Sequence, residues 1–247
     1  MDRLVYVAMS GAKEILNAQA ANNANLANAS TVGFRADLTA FQTQQVTGAG
    51  LPSRAYATDD SVGWDSTQGV LQTTGRPLDV AIQGQGWIAV QASDGTEAYT
   101  RAGDLHVDTS GLLMTAAGNP VLGDGGPITV PPETSMTIGA DGSVSIVPQG
   151  QPATTISVVG RMKLVNPPSS QLTRGADGLF RNNTPDTPVS ADATVRLAPG
   201  ALESSNVNIA ESMANMIELA RSYEVQVKAM KTAEDNAAES SKLLQSS

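Results

Sequence analysis

Residue types that support enzyme chemistry are sparse in this sequence. It holds one histidine, His106, and no cysteine. A catalytic or metal-binding histidine needs further ligands nearby, whereas Leu105 and Val107 flank His106 with the alternation of a half-buried strand. The pattern therefore predicts an outward-facing strand residue. The missing cysteines exclude a disulfide framework and a thiolate site.

Two short motifs have structural explanations. Residues 104–111 faintly resemble a calcium-binding loop, but Leu105 and Val107 continue a strand and no glutamate follows at the ligand spacing. We expect a hairpin turn at Asp108-Thr109-Ser110-Gly111 instead. The stretch Gly84-Gln85-Gly86 lacks the third glycine and the following helix of a dinucleotide fingerprint, which indicates a turn.

The carboxylates of the central region also have a simpler explanation than acid–base catalysis. Paired carboxylates can hydrolyse glycosidic bonds, but here most aspartates stand beside glycine. Asp-Gly is a strong hairpin signal, because both central positions of a type I′ turn need positive φ. The dipeptide begins at four positions: Asp94, Asp124, Asp141 and Asp177. We therefore predict that the protein is not an enzyme and binds no metal or cofactor.

Charge and composition narrow the class of protein further. The chain has 247 residues, a net charge of -9 and only 4% aromatic residues. This charge disfavours nucleic acid, for which a basic face is expected, and equally disfavours an anionic membrane surface. No apolar run approaches the roughly 20 residues that span a bilayer. The first residues lack a basic, then apolar secretory leader. We expect a soluble protein that would leave the cytoplasm, if at all, without a cleaved signal peptide.

Proline and glycine divide the sequence into three parts. All 13 prolines lie between Pro52 and Pro199, and most of the 23 glycines lie between Gly63 and Gly200. The predicted fold class is therefore α+β, with paired long terminal helices that form a coiled-coil-like axial domain and an irregular antiparallel all-β body. We assign residues 1–35 and 205–247 to the axial domain, 36–66 to an extended linker and 67–204 to the body.

The predicted first helix runs from about Asp2 to Ala29. One row of residues recurs at alternating intervals of four and three, a spacing that keeps one side of a helix towards a partner helix. We call such a row a seam, and in this helix it consists of Leu4, Ala8, Gly11, Ile15, Ala18, Asn22 and Asn25. The small residues allow close approach of a second backbone. Asn22 and Asn25 either fix register by hydrogen bonding to a partner or face solvent.

The predicted closing helix begins near Val207, after the capping candidates Ser204, Ser205 and Asn206. Its seam has the same rhythm: Ile209, Met213, Met216, Ala220, Tyr223, Val227 and Met230. A seam this narrow has little to bury within its own helix. It therefore predicts an interface with another helix.

Alternating apolar residues predict short strands in the body. The clearest example is Leu78–Ile82, and the Gly84 turn leads from it into a second strand at Trp87–Val90. Further strands are expected at 98–101, 105–108, 112–115, 136–138, 143–147, 156–165 and 194–197. Their spacing near ten residues is typical of an antiparallel sheet or sandwich.

Three collinear motifs resemble the rod, hook and basal-body proteins of the bacterial flagellum. They cover about two thirds of the chain: residues 21–35 (ANNANLANASTVGFR), 67–87 with 99–104, and 205–208 with 216–217 and 221–224. Within that family, residues 1–12, 33–36 and 50–54 are similar to the proximal rod protein. The distal rod protein is an alternative, because it shares the centre and both ends.

The resemblance implies a structural subunit of the proximal rod, which assembles through its terminal helices into the drive shaft that transmits torque. It implies contacts with copies of itself, with adjacent proximal rod proteins and the distal rod protein, and with the flagellar export apparatus, and a place in the periplasmic rod of the basal body. The net charge and the lack of a long apolar run add the expectation of no nucleic acid and no membrane insertion. An adhesin-like surface binding module is the alternative from another class, but it does not explain matched seams at both ends.

Overall fold

The computed structural model describes residues 2–45, 55–184 and 189–245 of the chain, with side chains for 5–39, 63–184, 189–239 and 242. It has mixed helix and strand content, as predicted. The helices are α1 (Asp2–Ala27) and α2 (Ile209–Gln245), and a 3₁₀ turn spans Ser169–Gln171. The strands are β1 (Asp37–Gln45), β2 (Ala55–Trp64), β3 (Leu71–Thr73), β4 (Val80–Gln83), β5 (Trp87–Gln91), β6 (Glu97–Thr100), β7 (Leu105–Val107), β8 (Leu113–Thr115), β9 (Leu122–Gly123), β10 (Gly126–Pro127), β11 (Glu133–Ile138), β12 (Ser143–Pro148), β13 (Ser157–Arg161), β14 (Leu164–Val165), β15 (Leu172–Arg174), β16 (Phe180–Asn182), β17 (Arg196–Pro199) and β18 (Ala201–Glu203). In the part of the chain that the structure describes, no helix is both long and apolar enough to cross a membrane.

The chain forms two compact units, each built from separate stretches of sequence. The first, here the helical unit, contains residues 1–29, 36–65 and 207–247. The second, here the β body, contains residues 30–35 and 66–206. The segment 30–35 thus belongs with the body, although the sequence places it with the first helix.

The helical unit holds α1, α2 and the strand pair β1–β2. The two strands pair antiparallel, from Asp37 opposite Trp64 to Gln45 opposite Ala55, with an irregularity after Leu38. The described residues of 36–66, the segment that the sequence assigns to an extended linker, form a long paired ladder. The sequence lacks a clear alternation here, so its pattern does not predict the pairing.

The β body consists of antiparallel sheets, as the turn signals predict. Its largest sheet has the order β14-β5-β6-β16-β15, and a three-stranded sheet has the order β11-β12-β13. Shorter pairs join β4 to β17, β3 to β18, β7 to β8 and β9 to β10. The core that holds these sheets together is aliphatic, and its fully buried members include Val80, Ile82, Ile88, Val90, Leu105, Leu113, Val121 and Val144. Short strands of this kind are stable because each contributes one or two side chains to a shared core.

All four Asp-Gly dipeptides connect consecutive strands, as predicted, but three of them use another turn geometry than type I′. Gly95 donates its N–H to the carbonyl of Ala92, so the central residues of that turn are Ser93 and Asp94 rather than Asp94 and Gly95. Gly95 itself is left-handed, with φ 83°. Gly142 and Gly178 repeat the arrangement. A turn closed by a left-handed glycine is the usual three-residue hairpin loop.

The aspartates of two of these turns bind the chain just beyond them. Asp94 accepts hydrogen bonds from the N–H and hydroxyl of Thr96, at 2.9 and 2.6 Å. Asp141 likewise accepts hydrogen bonds from the N–H and hydroxyl of Ser143. Hydrogen bonds from Thr96 lower the pKa of Asp94, and those from Ser143 lower the pKa of Asp141. These carboxylates are occupied in shaping turns.

Candidate assembly interface

One side of α1 is buried within the helical unit. Ala8, Ile15, Ala18 and Asn25 are each less than a tenth exposed, and Ala12 and Glu14 are buried beside them. Gly11 and Asn22 are partly buried. The Leu4 side chain lies outside the described residues. Most of the seam predicted for the first helix therefore faces protein rather than solvent.

The two asparagines of this seam make specific hydrogen bonds. Asn22 donates from Nδ2 to the carbonyl of Ser212 on α2, at 2.8 Å. Asn25 donates to the carbonyl of Asp37 at 2.9 Å and accepts from the Asp37 N–H at 2.8 Å. The sequence leaves open whether they bind a partner or face solvent; they bind α2 and β1.

The two helices run antiparallel where they meet. Asn22, late in α1, contacts Ser212, early in α2. Gly11, earlier in α1, lies against Gln226, further along α2, and a Cβ at position 11 would stand 3.2 Å from Gln226 Cδ. A side chain at this position would require Gln226 to move, so the glycine permits the close approach.

The seam predicted for the second helix coincides only in part with the side of α2 that is buried. Ser212 and Ala233 are the buried residues among the described side chains of α2. Met216, Tyr223 and Met230 are half-buried, whereas Ile209, Met213, Ala220 and Val227 are exposed. Small and polar residues contact α1 because they allow hydrogen bonding and close packing. Apolar periodicity alone cannot reveal such a face.

Both helices consequently carry apolar rows that the helical unit leaves uncovered. We define the α1 outer row as Tyr6, Met9 and Leu16, which are 48 to 56% exposed. We define the α2 outer row as Ile209, Met213, Ile217 and Val227, which are 41 to 54% exposed. Within each row the residues fall on one side of an α-helix. Several exposed apolar residues on one side of a helix make that side a candidate interaction surface.

A second notable site is a group of buried charges in the β body, here the junction cluster of Arg35, Arg101 and Glu203. Arg35 Nη2 lies 2.7 Å from Glu203 Oε1, and Arg101 Nε lies 3.0 Å from Glu203 Oε2. The side chains of Arg35 and Glu203 are fully buried and that of Arg101 is 5% exposed. Burial lowers the pKa of Arg101 to about 10, against the attraction of Glu203.

Main-chain groups complete the junction cluster. Glu203 Oε1 accepts from the Gly69 N–H at 3.0 Å. Arg35 donates to the carbonyl of Thr67, and Arg101 donates to the carbonyl of Gly84 at 2.5 Å. Buried charges are tolerated when each has such partners.

An aromatic layer lies beside the cluster. Arg101 is stacked 5.7 Å from the ring centroid of Trp87. Arg174 lies 4.2 Å over the Phe34 ring and donates to the carbonyl of Arg35 at 3.0 Å. At these distances the two guanidinium groups make cation–π contacts with the rings.

The residues considered for catalysis occupy ordinary structural positions. His106 lies in β7 opposite Met114 of β8 and is partly buried. Asp108 accepts hydrogen bonds from Ser110 and Thr109 in the β7–β8 turn, and these bonds lower its pKa. Within the ranges that the structure describes, no three acidic or histidine side chains are grouped so as to hold a metal ion.

Comparison with known proteins identifies the family. Residues 81–146 match the family model described as "Flagellar hook protein FlgE/F/G D1 domain", and residues 198–243 match "Flagellar basal body rod FlgEFG protein C-terminal". The chain is 46% identical to the flagellar basal-body rod protein FlgF of Escherichia coli K12, over 99% of both chains. The chain belongs to the flagellar basal-body rod protein family. It is also 44% identical to FlgF of Salmonella typhimurium over 99% of both chains, and 35% identical to the rod protein FlgG of Buchnera aphidicola from Schizaphis graminum over 85% of this chain and 87% of that one.

Membership of the rod family confirms the function class predicted from the three motifs. Its relatives are named as rod proteins, in agreement with a structural rather than an enzymatic role. The C-terminal rod model includes Glu203 and most of α2. Arg35 stands at the end of the quoted N-terminal rod motif. The sequence thus indicates both ends of the junction cluster as parts of family motifs, but gives no signal that they pair, because they are far apart in the chain.

Proposed function

We propose that this rod-family protein is a structural subunit of the proximal part of the flagellar basal-body rod, where it helps to form the axial shaft that transmits torque. The observation that carries the proposal is the pair of uncovered apolar rows on the terminal helices of a chain that matches FlgF along its whole length. FlgF matches at higher identity and over more of the chain than the FlgG relative cited above, which favours the proximal rod over the distal rod.

The physical basis of assembly is burial of the outer rows. Full burial of one large apolar side chain stabilises by about 1.5–3 kcal/mol, so several half-exposed residues on each helix supply a substantial driving force. Subunits joined by different surfaces on each side form an open helical array when the rotation between neighbours does not close a ring. The outer rows of α1 and α2 are such different surfaces. Packed in this way, the terminal helices form the coiled-coil-like axial domain of the subunit.

The partners follow from the position in the rod. The outer rows would contact copies of this chain, adjacent proximal rod proteins and the distal rod protein. We further propose delivery through the flagellar export apparatus and a location in the periplasmic rod. The seam residues that are buried or partly buried within the helical unit, such as Asn22 and Ala18, would support this assembly by holding α1 and α2 together.

Deletion of the terminal helices tests the proposal. Variants lacking residues 1–30, or 207–247, would be expressed in a bacterium whose own copy of the corresponding rod gene has been removed. We expect non-motile cells and isolated basal bodies without a complete rod in electron micrographs. The full chain, expressed in the same way, should restore both. Motile cells carrying either truncated chain would contradict the proposal and would leave a binding module built on the β body as the better explanation.

A further inference from the structure

The junction cluster connects two stretches of chain that lie far apart in sequence. Arg35 follows the end of α1 at Ala27, and Glu203 precedes the start of α2 at Ile209. Besides their ion pair, the stretches share main-chain hydrogen bonds. The Gly33 N–H donates to the carbonyl of Glu203 at 2.8 Å, and the Asn206 N–H donates to the carbonyl of Phe34 at 3.4 Å. We call these stretches, 30–35 and 201–206, the helix roots.

Stability alone is a poor explanation for burying three charges at this place. Removing each ion from water costs several kcal/mol, and well-packed apolar residues of similar size often hold a fold equally well or better. An ion cluster adds a large difference in free energy between the correct and a misaligned pairing of the roots. A misaligned pairing of the roots would leave Glu203 or one of the arginines buried without a partner, which is strongly unfavourable.

The geometry permits only one pairing of the roots. Glu203 uses Oε1 for Arg35 and the Gly69 N–H, and Oε2 for Arg101. Gly33 is left-handed, with φ 68°, and a Cβ there would come within 2.4 Å of the Arg101 main chain. A shift by one residue in either root would separate Arg35 from Glu203. A shift of the 30–35 root would in addition bring a side chain against the Arg101 main chain.

We propose that the junction cluster is a conformational device that selects a single alignment of the two helix roots, and thereby the register in which α1 and α2 start to pair. The inference rests on the rod function proposed above, since register decides which outer rows are presented to neighbours. Within the helical unit the matching register is reported by the contacts of Asn22 with Ser212 and of Gly11 with Gln226.

Disulfide trapping in the full-length monomer tests the proposal, because the native chain has no cysteine to interfere. The native register is probed with N22C/S212C. Slips by one helical turn in either direction are probed with N22C/M216C and with A18C/S212C. Each pair is placed in the native background and in a variant whose cluster is apolar, Arg35→Met with Arg101→Met and Glu203→Leu. The milder Arg35→Lys, which keeps the charge but loses the planar fork, serves if the apolar variant does not fold.

The expected result separates register from folding. The native background should trap the N22C/S212C pair and form at least several-fold less of either slipped pair. In a cluster variant whose body unfolds cooperatively, the slipped pairs should rise several-fold and N22C/S212C should fall. An unchanged trapping pattern in a folded cluster variant would overturn the proposal. This readout does not depend on motility, so failure of the rod function and failure of the register device are distinguishable.

Discussion

Asn22 on α1 donates a hydrogen bond to the main-chain oxygen of Ser212 on α2, across 190 residues of sequence. The acceptor is a carbonyl in the first turn of α2, so the bond ties the beginning of one terminal helix to a late turn of the other. It is a polar contact inside a helix pair otherwise made largely of small residues. Such contacts specify alignment more than they add stability.

Removing this contact should weaken the helix pair. We expect Asn22→Ala to lower the free energy of unfolding of the helical unit by about 1 kcal/mol, the typical net value of one hydrogen bond. Chemical denaturation followed by circular dichroism measures the change. Asn23→Ala is the matched control, because Asn23 is exposed on the same helix and its loss should be nearly neutral. Equal effects of the two substitutions would speak against the contact.

Substitution of Asn25 should lower stability more than substitution of Asn22. It satisfies both the N–H and the carbonyl of Asp37 and is only 9% exposed. Asn25→Leu leaves both main-chain groups without their partner, at a cost of about 1–3 kcal/mol for each unsatisfied group. The same substitution at exposed Asn23, Asn23→Leu, is the control. Urea unfolding of both variants should separate them clearly; a stable Asn25→Leu protein would show that water replaces the side chain.

A comparison of two glycines should separate clash from backbone strain. Gly33 and Gly150 are both left-handed, with φ 68° and 82°. A Cβ at Gly33 would meet the Arg101 main chain at 2.4 Å, whereas a Cβ at Gly150 meets nothing within 4 Å. Gly150→Ala should therefore cost only the strain, about 1–2 kcal/mol. Gly33→Ala should lower the stability of the body considerably more, as measured by thermal unfolding. Equal losses of stability in the two variants would show that a methyl group fits at Gly33 without a clash.

Two aspartates should give opposite pH dependences. Burial, together with the nearby Asp79 carboxylate, raises the pKa of Asp104, whereas hydrogen bonds from Ser110 and Thr109 lower the pKa of Asp108. A raised folded-state pKa means that the charged form is disfavoured in the folded protein, so Asp104 costs stability at neutral pH. Asp104→Asn should thus stabilise the body at pH 7, and the gain should vanish as the pH falls below the ordinary aspartate pKa.

Asp108→Asn should behave in the opposite sense. Its depressed pKa contributes stability above the ordinary aspartate pKa, and this contribution is lost as the pH falls through the folded-state value. The variant should therefore be less stable than the native protein at pH 7 and equal to it in strong acid. Denaturation curves recorded across the acidic range measure both variants. Parallel curves for native and variant proteins would contradict the assigned causes.

The α2 outer row should matter for assembly but not for folding. Ile217 is 54% exposed, so Ile217→Ser removes little buried surface from the isolated subunit. We expect an unchanged unfolding midpoint together with a strong loss of motility and of complete rods. Glu218→Ser, on the exposed residue beside it, is the control that should leave motility intact. Normal swimming with Ile217→Ser would remove this row from the interface.

Local patterns predict the local features of this fold well. The apolar stretches Leu78–Ile82 and Trp87–Val90 predict β4 and β5, and the Asp-Gly dipeptides predict strand connections, because strands and turns depend on neighbouring residues. The alternation in 78–82 predicts a half-buried strand, whereas Val80, Ala81 and Ile82 are all buried. Features that depend on distant residues escape such prediction. The short strands β3 and β18 pair with each other, and neither has a pattern long enough to detect.

The α2 seam illustrates a different limit. Periodicity identifies apolar residues that share a side of the helix, which is correct. It cannot say whether that side meets α1 or is left for another molecule. The two buried residues among the described side chains of α2, Ser212 and Ala233, lie outside the seam, and hydropathy does not distinguish them from residues of a solvated face. Three seam residues, Met216, Tyr223 and Met230, are half-buried.

The pairing of β3 with β18, beside the bond from Gly33 to Glu203, brings the beginning and the end of the body's long stretch, residues 66–206, close together. A domain whose two ends lie side by side behaves as a removable insert. The loops of this stretch can therefore be lengthened or shortened while its two ends stay together. A protein engineer can thus change the size of the β body without changing where this stretch begins and ends.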